Sequence, residues 1–104
     1  MDLYPKRYRA ILYSTLTMPE ILKRLLGLKF CMRYLDEDFH HRPHLHVSYG
    51  DFEASIAIDA VEILAGYLPD KQRKKAESYI CQYQQALIVE WNKAVKGNQI
   101  RRIN

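Results

Sequence analysis

All four histidines of this chain fall within residues 40–46, as His40, His41, His44 and His46. An imidazole can carry a proton near neutral pH, ligate a divalent transition metal, or contact a phosphate or a base. His44 and His46 lie two apart in a stretch that alternates like a β-strand, so their side chains leave one face, which the pattern places opposite the core. His40 and His41 sit on the loop feeding that strand, and Pro43 stiffens the approach. Three chemistries fit. The ring nitrogens can hydrogen-bond within the fold or across an interface. Alternatively, His40, His44 and His46 can hold a metal, with Asp36, Asp38 or Glu53 as a carboxylate ligand. Or His44 and His46 can move protons on a phosphodiester, with His40 completing the site and Arg33 or Arg42 holding the phosphate. The sequence carries no H-E-x-x-H spacing, no glycine-rich phosphate loop and no serine or cysteine nucleophile signature, which weighs against the last two.

A second group of candidate residues is basic. Lys71, Arg73, Lys74 and Lys75 open a helical stretch, where positive charge opposes the helix dipole at a cost of a few tenths of a kcal/mol per exposed charge. Such a start suits an anion, and more commonly it is a solvated face. Arg101 and Arg102 add charge at the other end. Across 104 residues, 16 Lys+Arg stand against 12 Asp+Glu, a net charge of +4. That surplus is compatible with nucleic acid and equally with ordinary solvated surface. Cys31 and Cys81 lie far apart without CxxC or Cys-His spacing, which predicts two reduced thiols rather than a zinc ribbon or a disulfide framework. At 48% hydrophobic and 27% charged, the chain has the composition of one small folded domain. No apolar run approaches the roughly 18 residues of a membrane helix. The first residues lead into no apolar block of a secretory signal. A soluble, cytoplasmic protein is expected.

The elements that must position these residues follow from periodicity. Tyr4, Tyr8, Ile11, Leu12 and Leu16 suit a short amphipathic helix over 3–16. Thr17, with Pro19 and Glu20, predicts a second short helix over 18–26, ended by Gly27. Strands are expected over 28–34, 44–49, 52–58 and 61–64. Gly50-Asp51 has the length of a two-residue hairpin loop. If Tyr49 faces Phe52, then Val47 faces Ala54 and Leu45 faces Ile56, so every apolar pair shares one face. Ser48 then meets Glu53, His46 meets Ser55 and His44 meets Ala57 on the other. Asp70 can cap a long helix over 70–95, whose Tyr79, Ile80, Tyr83, Leu87 and Trp91 step by three and four. Gly97 stops it, and 100–103 form a short extended tail. The fold class is α+β: a four-stranded antiparallel meander packed against one long C-terminal helix, with short N-terminal helices. Residues 1–17 read as a helical extension whose tyrosines suit a partner surface or a dimer interface. Residues 18–104 form a single domain.

His40-His41-Arg42-Pro43-His44-Leu45-His46-Val47 resembles the H-x-P-P-H-F-H-V signature of a small bacterial family, number 4160 among the domains of unknown function. Tyr49-Gly50-Asp51-Phe52-Glu53-Ala54 is similar to its Y-G-x-Y-x-A hairpin, and Gly66-Tyr67-Leu68-Pro69 to its G-x-L-P step. Leu87-Ile88-Val89-Glu90-Trp91 is similar to its L-L-x-x-W helix end, and Met18-Pro19-Glu20-Ile21 to its usual start. The resemblance covers about 18–103. Arg42 stands where the first proline of the family pair usually is, and the signature maps onto His40, His44 and His46, leaving His41 at a variable position. The resemblance implies no established activity. It implies a gene that often neighbours another small uncharacterised family, number 2442, and such pairs resemble toxin–antitoxin or regulatory modules. The expected function is a non-enzymatic binding or regulatory module of a two-gene, toxin–antitoxin-like system. Its partner would be a small protein encoded nearby, nucleic acid, or a second copy of the chain. The alternative is a small histidine-dependent nuclease or phosphodiesterase, with a divalent transition metal as its cofactor if metal-assisted.

Overall fold

The computed structural model describes residues 19–32 and 42–104. The expected helix over 3–16 and the stretch carrying Arg33, Asp36, Asp38, His40 and His41 lie outside the described residues. Five strands, β1 (Glu20–Leu25), β2 (Leu28–Cys31), β3 (His44–Tyr49), β4 (Phe52–Ala57) and β5 (Ile63–Gly66), form one antiparallel sheet in chain order. Two helices follow, α1 (Asp70–Gln82) and α2 (Gln84–Val95). The α+β class holds, and the expected four strands and single long helix become five and two among the described residues.

The β3–β4 hairpin has the register that parity demands. Tyr49 pairs with Phe52, Val47 with Ala54 and Leu45 with Ile56, while Ser48 pairs with Glu53, His46 with Ser55 and His44 with Ala57. A one-residue slip would turn Leu45, Val47, Ala54 and Ile56 out of the core, so burial enforces the alignment. Those four side chains are buried together with Leu28 and Phe30 of β2 and with Ala76, Ile80, Leu87 and Trp91 of the helices. Tyr79 and Tyr83 flank this core. Tyr79 meets Phe30 edge-on at 5.1 Å between ring centroids and Tyr83 at 5.4 Å.

Residues 20–25 correct the sequence reading, for they form a strand where a helix was expected. Glu, Leu, Lys and Arg are good helix formers, and Ile21, Leu22 and Leu25 have helical spacing. Pairing with β2 overrides that preference. The pairing Glu20–Cys31, Leu22–Phe30 and Leu25–Leu28 is irregular at two points, so the consecutive Ile21 and Leu22 are both fully buried and strict alternation is lost. Gly27 is the second residue of a hairpin turn rather than a helix stop. Leu26 and Gly27 have φ of 50° and 86°, the double left-handed conformation of the turns that suit strand twist.

Two smaller corrections have local causes. The last strand is displaced from 61–64 to Ile63–Gly66, because Val61 has a φ of 53° and cannot extend the ladder. Pairing continues instead to Gly66, opposite Ala54. The helical stretch breaks at Tyr83 (φ −109°, ψ 19°), whose N–H reaches the Tyr79 and Ile80 carbonyls at 3.3 and 3.1 Å. The Tyr83 carbonyl then accepts from the Leu87 N–H at 2.9 Å, starting the next segment. Asp70 lies in the first turn of α1, with Pro69 at the cap position and no side-chain cap bond. Beyond Gly97 the chain returns to β1: the Ile103 N–H donates to the Ile21 carbonyl (2.9 Å) and the Lys23 N–H to Asn104 Oδ1 (2.6 Å). Backbone groups on the outer edge of β1 are thereby satisfied within the chain. No helix among the described residues is long and apolar enough to cross a membrane.

Candidate functional site

Pro43 keeps the chain extended into β3, and its carbonyl accepts from the Ile58 N–H at 3.0 Å, so the strand entry is fixed against the end of β4. His44 is the first residue of β3. It is fully buried, and its ring lies 5.2 Å from that of Trp91. His44 Nδ1 is 2.6 Å from the Arg42 carbonyl oxygen. That oxygen only accepts, so Nδ1 is the donor and carries the proton. This corrects the expectation that the histidine face looks away from the core: at His44 it is closed, because α2 brings Trp91 onto the entry of β3. Alternation sets the direction in which a side chain leaves a strand and not what covers it.

His46 has a different partner. Its Nε2 is 3.0 Å from Glu53 Oε1, with the His46 side chain 13% exposed and Glu53 62% exposed. Glu53 lies opposite Ser48, two residues from Ser55 on the same face, and reaches His46 on the diagonal. Arg42 extends to the β4–β5 connection, 3.2 Å from Asp59 Oδ1 and 3.4 Å from Glu62 Oε2. Burial pushes the Asp59 carboxyl up, but the Ala60 N–H and the Arg42 guanidinium outweigh it and hold the group below its usual range. The pair on Asp59, foremost, raises Arg42 in turn. Among the described residues no group of three His, Cys, Asp or Glu side chains is placed to hold a metal. His40, the third member of the expected set, and Arg33 lie outside those residues.

The basic residues divide by partner. Arg73 is occupied within α1, 3.0 Å from Glu77 and 3.7 Å from Asp70. Arg101 and Arg102 are exposed. The Arg101 backbone N–H donates to Glu90 Oε1 at 2.9 Å, and Lys93 reaches Glu90 Oε2 at 2.9 Å. Burial pushes the Glu90 carboxyl up, but the Arg101 N–H, the Lys93 ammonium and the charge of Arg101 outweigh it and hold the group below its usual range. Arg102 lies near Glu20, whose carboxyl is held down chiefly by its hydrogen bonds from Arg24. Lys71 is exposed. Lys74 and Lys75 line a shallow cleft of about 350 Å³ between α1 and the β1–β2 turn, together with Leu25, Leu26, Tyr79 and Gln82. The sequence reading named both lysines and missed the apolar side of the cleft, because it took 18–26 for a helix. The available signal was Leu26-Gly27 as a two-residue break between apolar runs.

Fold and site together define a small α+β module in which His44, at the entry of β3, packs against Trp91 of α2 and so joins sheet and helix. The family model described as Domain of unknown function (DUF4160) matches residues 27–92, from β2 into α2. The chain belongs to that family. No curated protein and no solved structure gives a match.

Proposed function

We propose that the protein is a non-enzymatic binding or regulatory module of a two-gene, toxin–antitoxin-like system, and that it acts by engaging a protein partner. The observation that carries this reading is the use made of the signature residues. His44 is buried against Trp91 with its Nδ1 on the Arg42 carbonyl, and the Arg42 guanidinium is spent on Asp59 and Glu62. Residues of this kind hold a scaffold together, while the exposed cations and apolar side chains elsewhere are left for recognition. Co-expression with the protein encoded beside it, followed by size-exclusion chromatography, tests the reading. A co-eluting complex is expected. A chain that forms no complex with that protein overturns it.

A second reading rests on His46. An imidazole oriented by a carboxylate is the arrangement of a general base or of one arm of a metal site. RNA or DNA cleavage that disappears in both His46→Ala and Glu53→Gln supports a small nuclease. Absence of cleavage in the wild type, or cleavage that survives both substitutions, removes it.

A further inference from the structure

Leu26 is placed against two preferences at once. Its φ of 50° lies in the left-handed region, where Asn or Gly at the first position of such a turn sits without steric conflict and a bulky side chain does not. It is also 65% exposed, the most exposed of the large hydrophobic side chains among the described residues. Neither backbone geometry nor burial selects leucine there. Backbone outliers of this kind gather where a surface is used.

The surroundings of Leu26 indicate what would use it. The cleft beside it joins the apolar surface of Leu25 and Tyr79, both on the margin of the core, to the cations Lys74 and Lys75. Among the described residues no carboxylate lies within ion-pairing distance of either lysine, although the neighbouring Arg73 has two acidic partners. The wall of the cleft is also fixed. The Tyr79 hydroxyl donates to the Lys23 carbonyl at 2.9 Å and accepts from Asn104 Nδ2 at 2.8 Å, tying α1 to β1 on one side of the opening. A prepared surface with one apolar and one cationic half takes a ligand with the opposite halves.

We infer that the cleft between the β1–β2 turn and α1 is the docking site for an acidic segment of the partner protein, which seats an aliphatic or aromatic side chain on Leu25, Leu26 and Tyr79 and places flanking carboxylates on Lys74 and Lys75. The inference rests on the proposed binding function and names the surface that serves it. A nucleic acid would use the lysines through its phosphates but would gain little from an aliphatic side chain at a turn. A short peptide segment uses both halves, the apolar anchor for affinity and the carboxylates for orientation.

The full chain, labelled with ¹⁵N, is titrated by NMR with a blocked peptide of two leucines flanked by aspartates and glutamates. Control titrations use the same peptide with serine for leucine, the same peptide with lysine for the acids, and a single-stranded RNA oligonucleotide. Amide shifts are expected in 25–28 and 74–82 with the acidic leucine peptide and not with either peptide control. Leu26→Asn is expected to weaken binding at least tenfold without lowering Tm, which separates recognition from folding. The double substitution Lys74→Glu and Lys75→Glu should remove binding. Shifts elsewhere, equal binding of the serine control, or RNA binding that needs the lysines but ignores Leu26→Asn each overturn the inference. The complex with the protein encoded nearby separates the two levels. A complex lost in the cleft variants supports the docking site. A complex equally strong in those variants overturns the docking site and leaves the binding function standing, and absence of any complex with the wild type overturns both.

Discussion

His44 and His46, two positions apart on one strand, have opposite duties. His44 is a packing residue with a hydrogen bond. Its replacement by alanine removes a ring that faces Trp91 and leaves the Arg42 carbonyl without its donor. His44→Ala should therefore cost about 2–4 kcal/mol, as large-to-small changes in a core do, measured by urea unfolding at fixed pH. His46 sits nearer the surface, and its carboxylate partner is mostly exposed. His46→Ala should cost about 1 kcal/mol or less by the same measurement. Equal losses at the two positions would mean that the contact with Trp91 contributes little. Lys74 and Lys75 show the same division among cations: on one helix, Arg73 is satisfied by its own neighbours, while the two lysines after it have no ion-pair partner among the described residues.

At the scale of elements, the turns decide which strands exist. Gly66 has a φ of 84°, and a Cβ there would press on the Glu53 carbonyl oxygen and lie 2.8 Å from the Ala54 Cα. Gly97 has a φ of 83° with open space around it. The two Gly→Ala substitutions separate conformational strain from collision. Gly97→Ala should cost about 1 kcal/mol, the strain of a left-handed alanine. Gly66→Ala should cost several times more, about 3 kcal/mol or above, because the β4–β5 pairing must open. Thermal unfolding of both variants checks the ranking. The turn at Leu26-Gly27 works in the other direction. Leu26→Asn should raise stability by about 0.5–1 kcal/mol, since asparagine tolerates the left-handed conformation that leucine resists. A loss of stability would indicate that Leu26 packs more tightly than its exposure suggests.

At the scale of the molecule, three carboxylates are each held below their ordinary range and each makes a different local tie. Glu20 bonds Arg24 within β1, Asp59 receives Arg42 at the β4–β5 connection, and Glu90 joins α2 to the segment that returns to β1. A depressed carboxylate stabilises the fold above its unfolded-state value, and that contribution is lost as pH falls through its lower folded-state value. Stability should thus be level from neutrality to about pH 5 and decline below about pH 4, in the range where model carboxylates titrate. The decline in Tm should be shallower in Glu90→Gln than in the wild type, because one of the titrating groups is gone. A loss of Tm that begins above pH 5 would overturn the assignment to these carboxylates. The slope will be modest, since all three groups are near the surface and solvent screens them.

The register of the β3–β4 hairpin was legible in the sequence, because period-two alternation on both sides of a two-residue loop admits one register that keeps Leu45, Val47, Ala54 and Ile56 inside. The helical stripe of Ile80, Leu87 and Trp91 and the family membership were legible too, since spacing and motif are properties of the chain read in order. Residues 20–25 were not, because their local preference is helical and their strand exists through an irregular pairing with β2 that buries Ile21 and Leu22 together. The break at Tyr83 was equally hidden, as no proline or glycine marks it. The sequence by itself determined how the β3–β4 hairpin pairs, which of its side chains share a face, and that four histidines gather within residues 40–46. Only the tertiary structure decided that Trp91 closes over His44, that Arg42 is taken by Asp59 and Glu62, and that Leu26 meets Lys74 and Lys75 across a cleft. Those contacts join segments far apart in the chain, and burial and charge pairing between such segments are set by how the layers pack rather than by any local pattern.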